Sequence, residues 1–190
     1  MRELKILLFG DSITAGYMDG ETTMLYNNAL SDFLLKCGIK AACYNAGVPG
    51  ETSADGLRRA KRVAGYPYDI VLVMFGVNDA ADHRYIERMH YLENLKKIIS
   101  YFQKEKLILV SPSWVDETLH PERPDKRLRA YVATARKAAE MSGVAFVDLY
   151  QAMQPAPKQY LQPDGMHFAS AGYLLLAKII GKKIIEMAGR

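Results

Sequence analysis

Between Asp69 and Phe75 the chain carries Ile70, Val71, Leu72, Val73 and Met74 without a polar interruption. A strand with one wet face alternates apolar and polar residues. A strand that is apolar at every position needs cover on both faces, as a parallel strand between two layers of helix has. Shorter runs of similar character recur at Lys5 to Phe9, Ala41 to Asn45, Leu107 to Val110 and Val144 to Leu149. Helical spacing fills the intervals. Thr22 to Lys36 carries Leu25, Ala29, Leu30, Phe33 and Leu34, with Gly38 as its stop. A short helix capped by Ser53 or Asp55 runs through Arg62. From Ile86 the residues Met89, Leu92, Leu95, Ile98, Ile99 and Phe102 recur every three or four positions. Lys126 to Met141 forms a helix ending near Gly143, and Ser170 to Ala188 forms another that buries Leu174, Leu175, Ile179, Ile180 and Ile184.

Strand alternating with helix, through connections too long for hairpins, requires right-handed crossovers and helices on both faces of a parallel sheet. The sequence therefore predicts an α/β chain folded as one domain over residues 1–190. It is expected to be a three-layer α/β/α sandwich on a five-stranded parallel sheet, with flavodoxin-like strand order. No repeat, low-complexity tract or linker divides the 190 residues. The net charge of +4 is modest, and Arg58-Arg59, Lys61-Arg62 and Lys182-Lys183 are small clusters of the kind found on solvated helix faces. No nucleic-acid partner is expected. Cys37, ending a helix, and Cys43, in a strand, make no disulfide framework and are expected to pack as small apolar thiols. The first apolar run, about five residues, is too short for a signal peptide's apolar region or a membrane span. A cytoplasmic protein without stable membrane insertion is the expectation. No motif bears on oligomeric state.

The chemistry falls at strand ends. Gly10-Asp11-Ser12-Ile13-Thr14-Ala15-Gly16 follows the first strand, Gly47 the second, and Asn78 with Asp79 the third. In a parallel sheet those ends share the edge where ligands bind. Gly-Asp-Ser also suits an ordinary turn. As chemistry, a serine hydroxyl needs a base to take its proton, and acyl transfer needs donors for the oxyanion. The N–H groups of Ser12 and Gly47 and the side-chain amide of Asn78 could supply those donors. Four histidines could be the base. His83 and His90 start an amphipathic helix, and His120 sits among prolines and charges in the irregular stretch Ser111 to Asp125. His167 follows Asp164 by three, a spacing that lets a carboxylate fix the imidazole tautomer.

Gly10-Asp11-Ser12, Gly47 after Asn45-Ala46, Gly76-Val77-Asn78-Asp79 and Asp164-Gly165-Met166-His167 together resemble the four sequence blocks of the SGNH hydrolases, the GDSL esterase/lipase family. The blocks come in the family's order and span nearly the whole chain. Ile13 stands where the eponymous motif often has Leu. The resemblance implies a nucleophile at Ser12, a base at His167, an orienting acid at Asp164 and oxyanion donors at Ser12, Gly47 and Asn78. Gly10 to Gly16, Asn45 to Gly50, Gly76 to Ala80, Pro121 to Pro124 and Leu161 to His167 look most like the small bacterial acylhydrolases and the isoamyl-acetate-hydrolysing esterases. This implies a small, short-chain ester as partner. Acetylated sugars, lysophospholipids and thioesters are the alternatives within the family.

Three further residues are candidates to contact substrate: Asp79, which could instead hold the turn carrying Asn78, Trp114, which could instead pack its loop on the core, and Met166 beside the base. Asp79, Asp82, His83 and His90 have no closed metal-ligand spacing, so neither metal nor other cofactor is expected. A nucleotide- or flavin-binding module is the rival from another class. The loop after the first strand matches neither Gly-x-x-x-x-Gly-Lys-Ser/Thr nor Gly-x-Gly-x-x-Gly, which counts against it.

Overall fold

The computed structural model describes residues 2–189. Five parallel strands form the sheet: β1 (Leu4–Gly10), β2 (Ala41–Gly47), β3 (Ile70–Met74), β4 (Leu107–Val110) and β5 (Ala145–Val147). Their order is β2-β1-β3-β4-β5, the flavodoxin-like arrangement. All residues of β3 and β4 are buried, as their apolar runs require. The register sets Gly10 opposite Gly47 on one side and Met74 on the other, so three strands end at one level.

Among the described residues six α-helices complete the layers: α1 (Leu25–Lys36), α2 (Ser53–Val63), α3 (Arg88–Ser100), α4 (Asp125–Ser142), the single turn α5 (Leu149–Ala152) and α6 (Ser170–Ala188). On one face α1 packs against α6; on the other α3 packs against both α2 and α4. Among the described residues no helix is long and apolar enough to cross a membrane.

Local chemistry moves several boundaries. Residues 22–24 are not helical, because Tyr17–Met18 and Glu21–Thr22 pair as a small antiparallel hairpin. Asp19 (φ 53°) and Gly20 (φ 90°) form its turn, the two positive φ angles a type I′ hairpin demands. The cap of α2 is Thr52 rather than Ser53 or Asp55. Its side chain accepts from the Asp55 N–H while the Asp55 carboxylate accepts from the Thr52 N–H, a reciprocal capping box. The third helix starts at Arg88 and leaves Met89 exposed, with Tyr91 buried instead. On α6 the buried stripe runs through Tyr173, Leu176, Ala177, Ile180, Gly181 and Ile184. Leu174 faces solvent, and Leu175 and Ile179 are only half-buried. The rotation brings Gly181 against the Phe33 ring of α1, where a β-carbon would overlap it. Cys37 is exposed, contrary to its expected packing, whereas half-buried Cys43 lies 3.4 Å from Ser31 Oγ. The fifth strand is shorter than expected because Asp148 caps α5, accepting from the Gln151 N–H at 2.8 Å.

Gly10 sits where β1 enters the next turn, and a β-carbon there would overlap both Thr14 Oγ1 and the Met74 carbonyl oxygen. The carbonyl belongs to the sheet and cannot give way. Gly10→Ala should lower stability by about 1–3 kcal/mol, as overpacking does, seen as a reduced urea midpoint at unchanged m-value.

Candidate active site

After Gly10 the chain makes one helical turn. The Ala15 N–H donates to the Asp11 carbonyl (2.9 Å), the Tyr17 N–H to the Ser12 carbonyl (3.0 Å), and the Ile13 N–H to Asp11 Oδ1 (3.1 Å). This turn presents Ser12 at the edge of the sheet, nearly buried. Its N–H has no acceptor among the described residues.

From the far end of the sequence, residues 161–168 fold back as a narrow loop. Leu161 and Phe168 form an antiparallel bridge, and the Gln162 N–H donates to the His167 carbonyl at 2.8 Å. The loop brings His167 Nε2 to 3.1 Å from Ser12 Oγ and His167 Nδ1 to 2.6 Å from Asp164 Oδ2. The other Asp164 oxygen accepts the N–H groups of Met166 and His167, each at 3.0 Å. Partial burial pushes the Asp164 carboxyl up, but those N–H groups and the imidazole outweigh it and hold it below its ordinary value. Asp164 is therefore a carboxylate at neutral pH and only accepts. The Nδ1 hydrogen points to it, which leaves Nε2 as the acceptor for the Ser12 hydroxyl.

Two residues brace this loop without any signal in the sequence. The Tyr17 ring lies 4.5 Å from the His167 ring, centroid to centroid. His120 Nε2 sits 2.8 Å from the Asp164 carbonyl oxygen and Nδ1 3.1 Å from Glu122 Oε1, so this histidine supports the acid's loop and does not face Ser12. His83 and His90 are exposed. Met166 gives its N–H to Asp164 and half-buries its side chain against the core. Trp114 also packs against the core, its N–H directed at Met153 Sδ.

The donors for an oxyanion come out differently from the expectation at one position. Asn78 donates one amide hydrogen to the Glu51 carbonyl at 2.9 Å, which orients the group and leaves its second hydrogen. Gly47 is not free to do the same: its N–H donates to Asn45 Oδ1 at 2.9 Å. That amide is itself fixed, because Asn45 Nδ2 donates to the Thr14 carbonyl (2.7 Å) and to Asn27 Oδ1 (2.8 Å). Gly47 is needed for fit, since a β-carbon would overlap the Ala15 backbone behind the nucleophile's turn. The candidate in its place is Gly50. It has φ 77°, a conformation suited to glycine, and its N–H has no acceptor among the described residues. It immediately precedes Glu51, whose carbonyl holds Asn78. The sequence signal was present in Val48-Pro49-Gly50, a turn one step further along the same loop.

Asp79 is no substrate contact. It is fully buried, and both carboxylate oxygens accept from the Ser53 N–H at 3.0 Å while one also takes the Ser53 hydroxyl. Asn94 Nδ2 donates to Ser53 Oγ at 3.0 Å, so Asp79 locks α2 and α3 beneath the Asn78 turn. Among the described residues no group of three or more His, Cys, Asp or Glu side chains converges as metal ligands.

Comparison with known proteins places this geometry in context. Residues 8–175 match the model of the GDSL-like Lipase/Acylhydrolase family. An arylesterase from Vibrio mimicus is 23% identical over 184 residues, covering 96% of this chain and 88% of that protein. A lipase/acylhydrolase from Enterococcus faecalis superposes with a TM-score of 0.91 at 38% identity, over 95% of each chain. A carbohydrate acetylesterase from Sinorhizobium meliloti shares the fold, with a TM-score of 0.79 at 16% identity over 97% of this chain and 100% of that one.

The two buried carboxyls beside the site carry a pH signature. Burial pushes Asp11 up to about 7, with the Ile13 N–H opposing and the Asp79 charge adding to the rise. Burial likewise raises Asp79 to about 6 against the Ser53 hydrogen bonds. Between an unfolded value near 4 and these folded values the native state holds protons that the unfolded chain has released. Stability is therefore greatest at the acid end of that window and falls as pH rises through it. Asp11→Asn should flatten the decline in melting temperature between about pH 5 and pH 8 and melt above the wild type at the alkaline end. An unchanged slope would show that Asp11 holds no proton in the fold.

Proposed function

We propose, from the premise that this chain belongs to the GDSL-like lipase/acylhydrolase family of ester-hydrolysing enzymes, that Ser12, His167 and Asp164 hydrolyse carboxylic esters through an acyl-enzyme. The observation that carries the reading is the hydrogen-bonded chain from Ser12 Oγ through the imidazole to the Asp164 carboxylate, at 3.1 and 2.6 Å. His167 Nε2 takes the Ser12 proton as Oγ attacks the ester carbonyl, and Asp164 stabilises the imidazolium that forms. The oxyanion accepts from the Ser12 N–H, the Gly50 N–H and the remaining amide hydrogen of Asn78. As the tetrahedral centre collapses, His167 gives its proton to the leaving alcohol. A water then repeats the cycle on the acyl-enzyme, yielding the free acid and regenerating Ser12.

For substrate we favour short acyl groups on small alcohols. The acetylesterase among the fold relatives supports a small acyl group, and it keeps acetylated sugars as the second reading. A panel of p-nitrophenyl acyl esters of increasing length, run beside acetylated sugars, separates the two, since they share the acyl part and differ in the alcohol. Activity confined to acetylated sugars would reverse the preference.

Ser12→Ala should lower kcat by about 10⁴-fold or more and abolish labelling by a fluorophosphonate. Comparable esterase activity in pure Ser12→Ala protein would refute the assignment. Asn78→Ala should lower kcat by about 10²–10³-fold, the usual loss for a single oxyanion donor. Asp164→Asn should cost less than Ser12→Ala, because it leaves nucleophile and base in place.

A further inference from the structure

Helix α2 carries two adjacent arginines in different circumstances. The Arg58 side chain is 72% exposed and pairs with Asp55, an arrangement of little energetic consequence. The Arg59 side chain is 13% exposed and turns beneath the sheet edge. Its guanidinium carbon lies over the buried Phe9 ring, 4.6 Å from the centroid. Its hydrogens go to three residues on two segments, the end of β1 and the loop that leaves β2. Nε donates to both carboxylate oxygens of Glu51 (2.7 and 3.0 Å), Nη1 to the Ala46 carbonyl (2.7 Å) and Nη2 to the Gly10 carbonyl (3.1 Å).

Each of those residues leads into one of the groups assigned to the oxyanion. Gly10 is two residues before Ser12. Ala46 stands at the end of β2, where the loop to Gly50 departs. Glu51 follows Gly50 directly, and its carbonyl accepts from the Asn78 amide. One planar cation thus ties together the supports of all three donors. We propose that Arg59 is the positioning residue of the oxyanion pocket, fixing the Ser12, Gly50 and Asn78 donors relative to one another without touching substrate. The proposal rests on the catalytic reading above. The chemistry calls for arginine: a lysine ammonium is a point charge and cannot present donors in a rigid plane to three acceptors. Glu51 is needed as well, since a nearly buried guanidinium without a carboxylate partner is costly.

The test is a kinetic cycle on p-nitrophenyl acetate. Arg59→Lys keeps the charge and should lower kcat by about 10–100-fold with KM little changed, because small misplacements of catalytic groups cost rate more than ground-state binding. In an Asn78→Ala background the same substitution should cost clearly less than in the wild type, since one of the three donors it positions is gone and coupled sites are non-additive. A merely structural role would multiply in full in both backgrounds, and that result overturns the proposal, as does unchanged kcat in Arg59→Lys. Should Arg59→Lys fail to fold, Glu51→Gln decides. It loosens the guanidinium's hold on the Gly50–Asn78 side, and a loss of about 10-fold in kcat, again non-additive with Asn78→Ala, is expected. Full activity in folded Glu51→Gln overturns the proposal. Ser12→Ala serves as the control: if it stays active, the catalytic reading fails; if it is inactive while the cycle is additive, only the positioning role fails.

Discussion

The parallel pairing of β1 with a neighbour on each side is the constraint from which the site follows. With Gly10 level with Gly47 and with Met74, three chain segments distant in sequence leave the sheet together. The turn after β1 presents Ser12, the loop after β2 presents Gly50, and the turn after β3 presents Asn78. None of these needs a long excursion to reach the others, and the Glu51 carbonyl next to Gly50 accepts directly from the Asn78 amide. The apolar runs of β1 and β3 keep both strands between the helical layers, because neither face of those strands can be turned to water.

Polar groups are buried beneath that edge at a cost that hydrogen bonding offsets. Asp11 shapes the turn that carries Ser12, and Asp79 anchors α2 through Ser53. Asn27, Asn45 and the Thr14 carbonyl form a second network behind the turn. Unpaired, each group would carry a desolvation penalty of about 1–3 kcal/mol; paired, it restricts the backbone to one arrangement. The support of the site is thus polar and directional, whereas the support of the sheet is apolar and tolerant of shape.

That difference explains what could be read from the sequence. The continuous run of Ile70 to Met74 is a local signal, and strand type and sheet class follow from such signals, whereas the strand order was expected from the fold class alone. Ser12, Asp164 and His167, which the structure joins by hydrogen bonds, stood out in the sequence because of their residue types and their places at element ends. Gly47 was misjudged because availability of an N–H depends on where the Asn45 side chain points, which no spacing encodes. The brace of His120 on the Asp164 carbonyl and the Tyr17 ring against His167 join residues far apart in sequence through contacts without a motif. On α6, two adjacent apolar stripes were available, and the choice between them was made by Gly181 accommodating a ring from α1. The Asp19-Gly20 turn is visible to local rules, but one strand of its hairpin reaches Thr22, where the helical spacing was read to begin.

The separation of 155 residues between Ser12 and His167 has a consequence for how the molecule comes into being. On the ribosome Ser12, the proposed nucleophile, emerges with the first strand, while His167, its proposed base, follows only after the five described strands have been made. Until then the serine is an ordinary alcohol beside a half-built sheet. Contacts of such long range are closed late and slowly, because the loop entropy they cost is recovered only when the intervening layers have packed. On the proposed mechanism, hydrolytic activity during refolding first appears when the segment carrying His167 docks against the turn of Ser12.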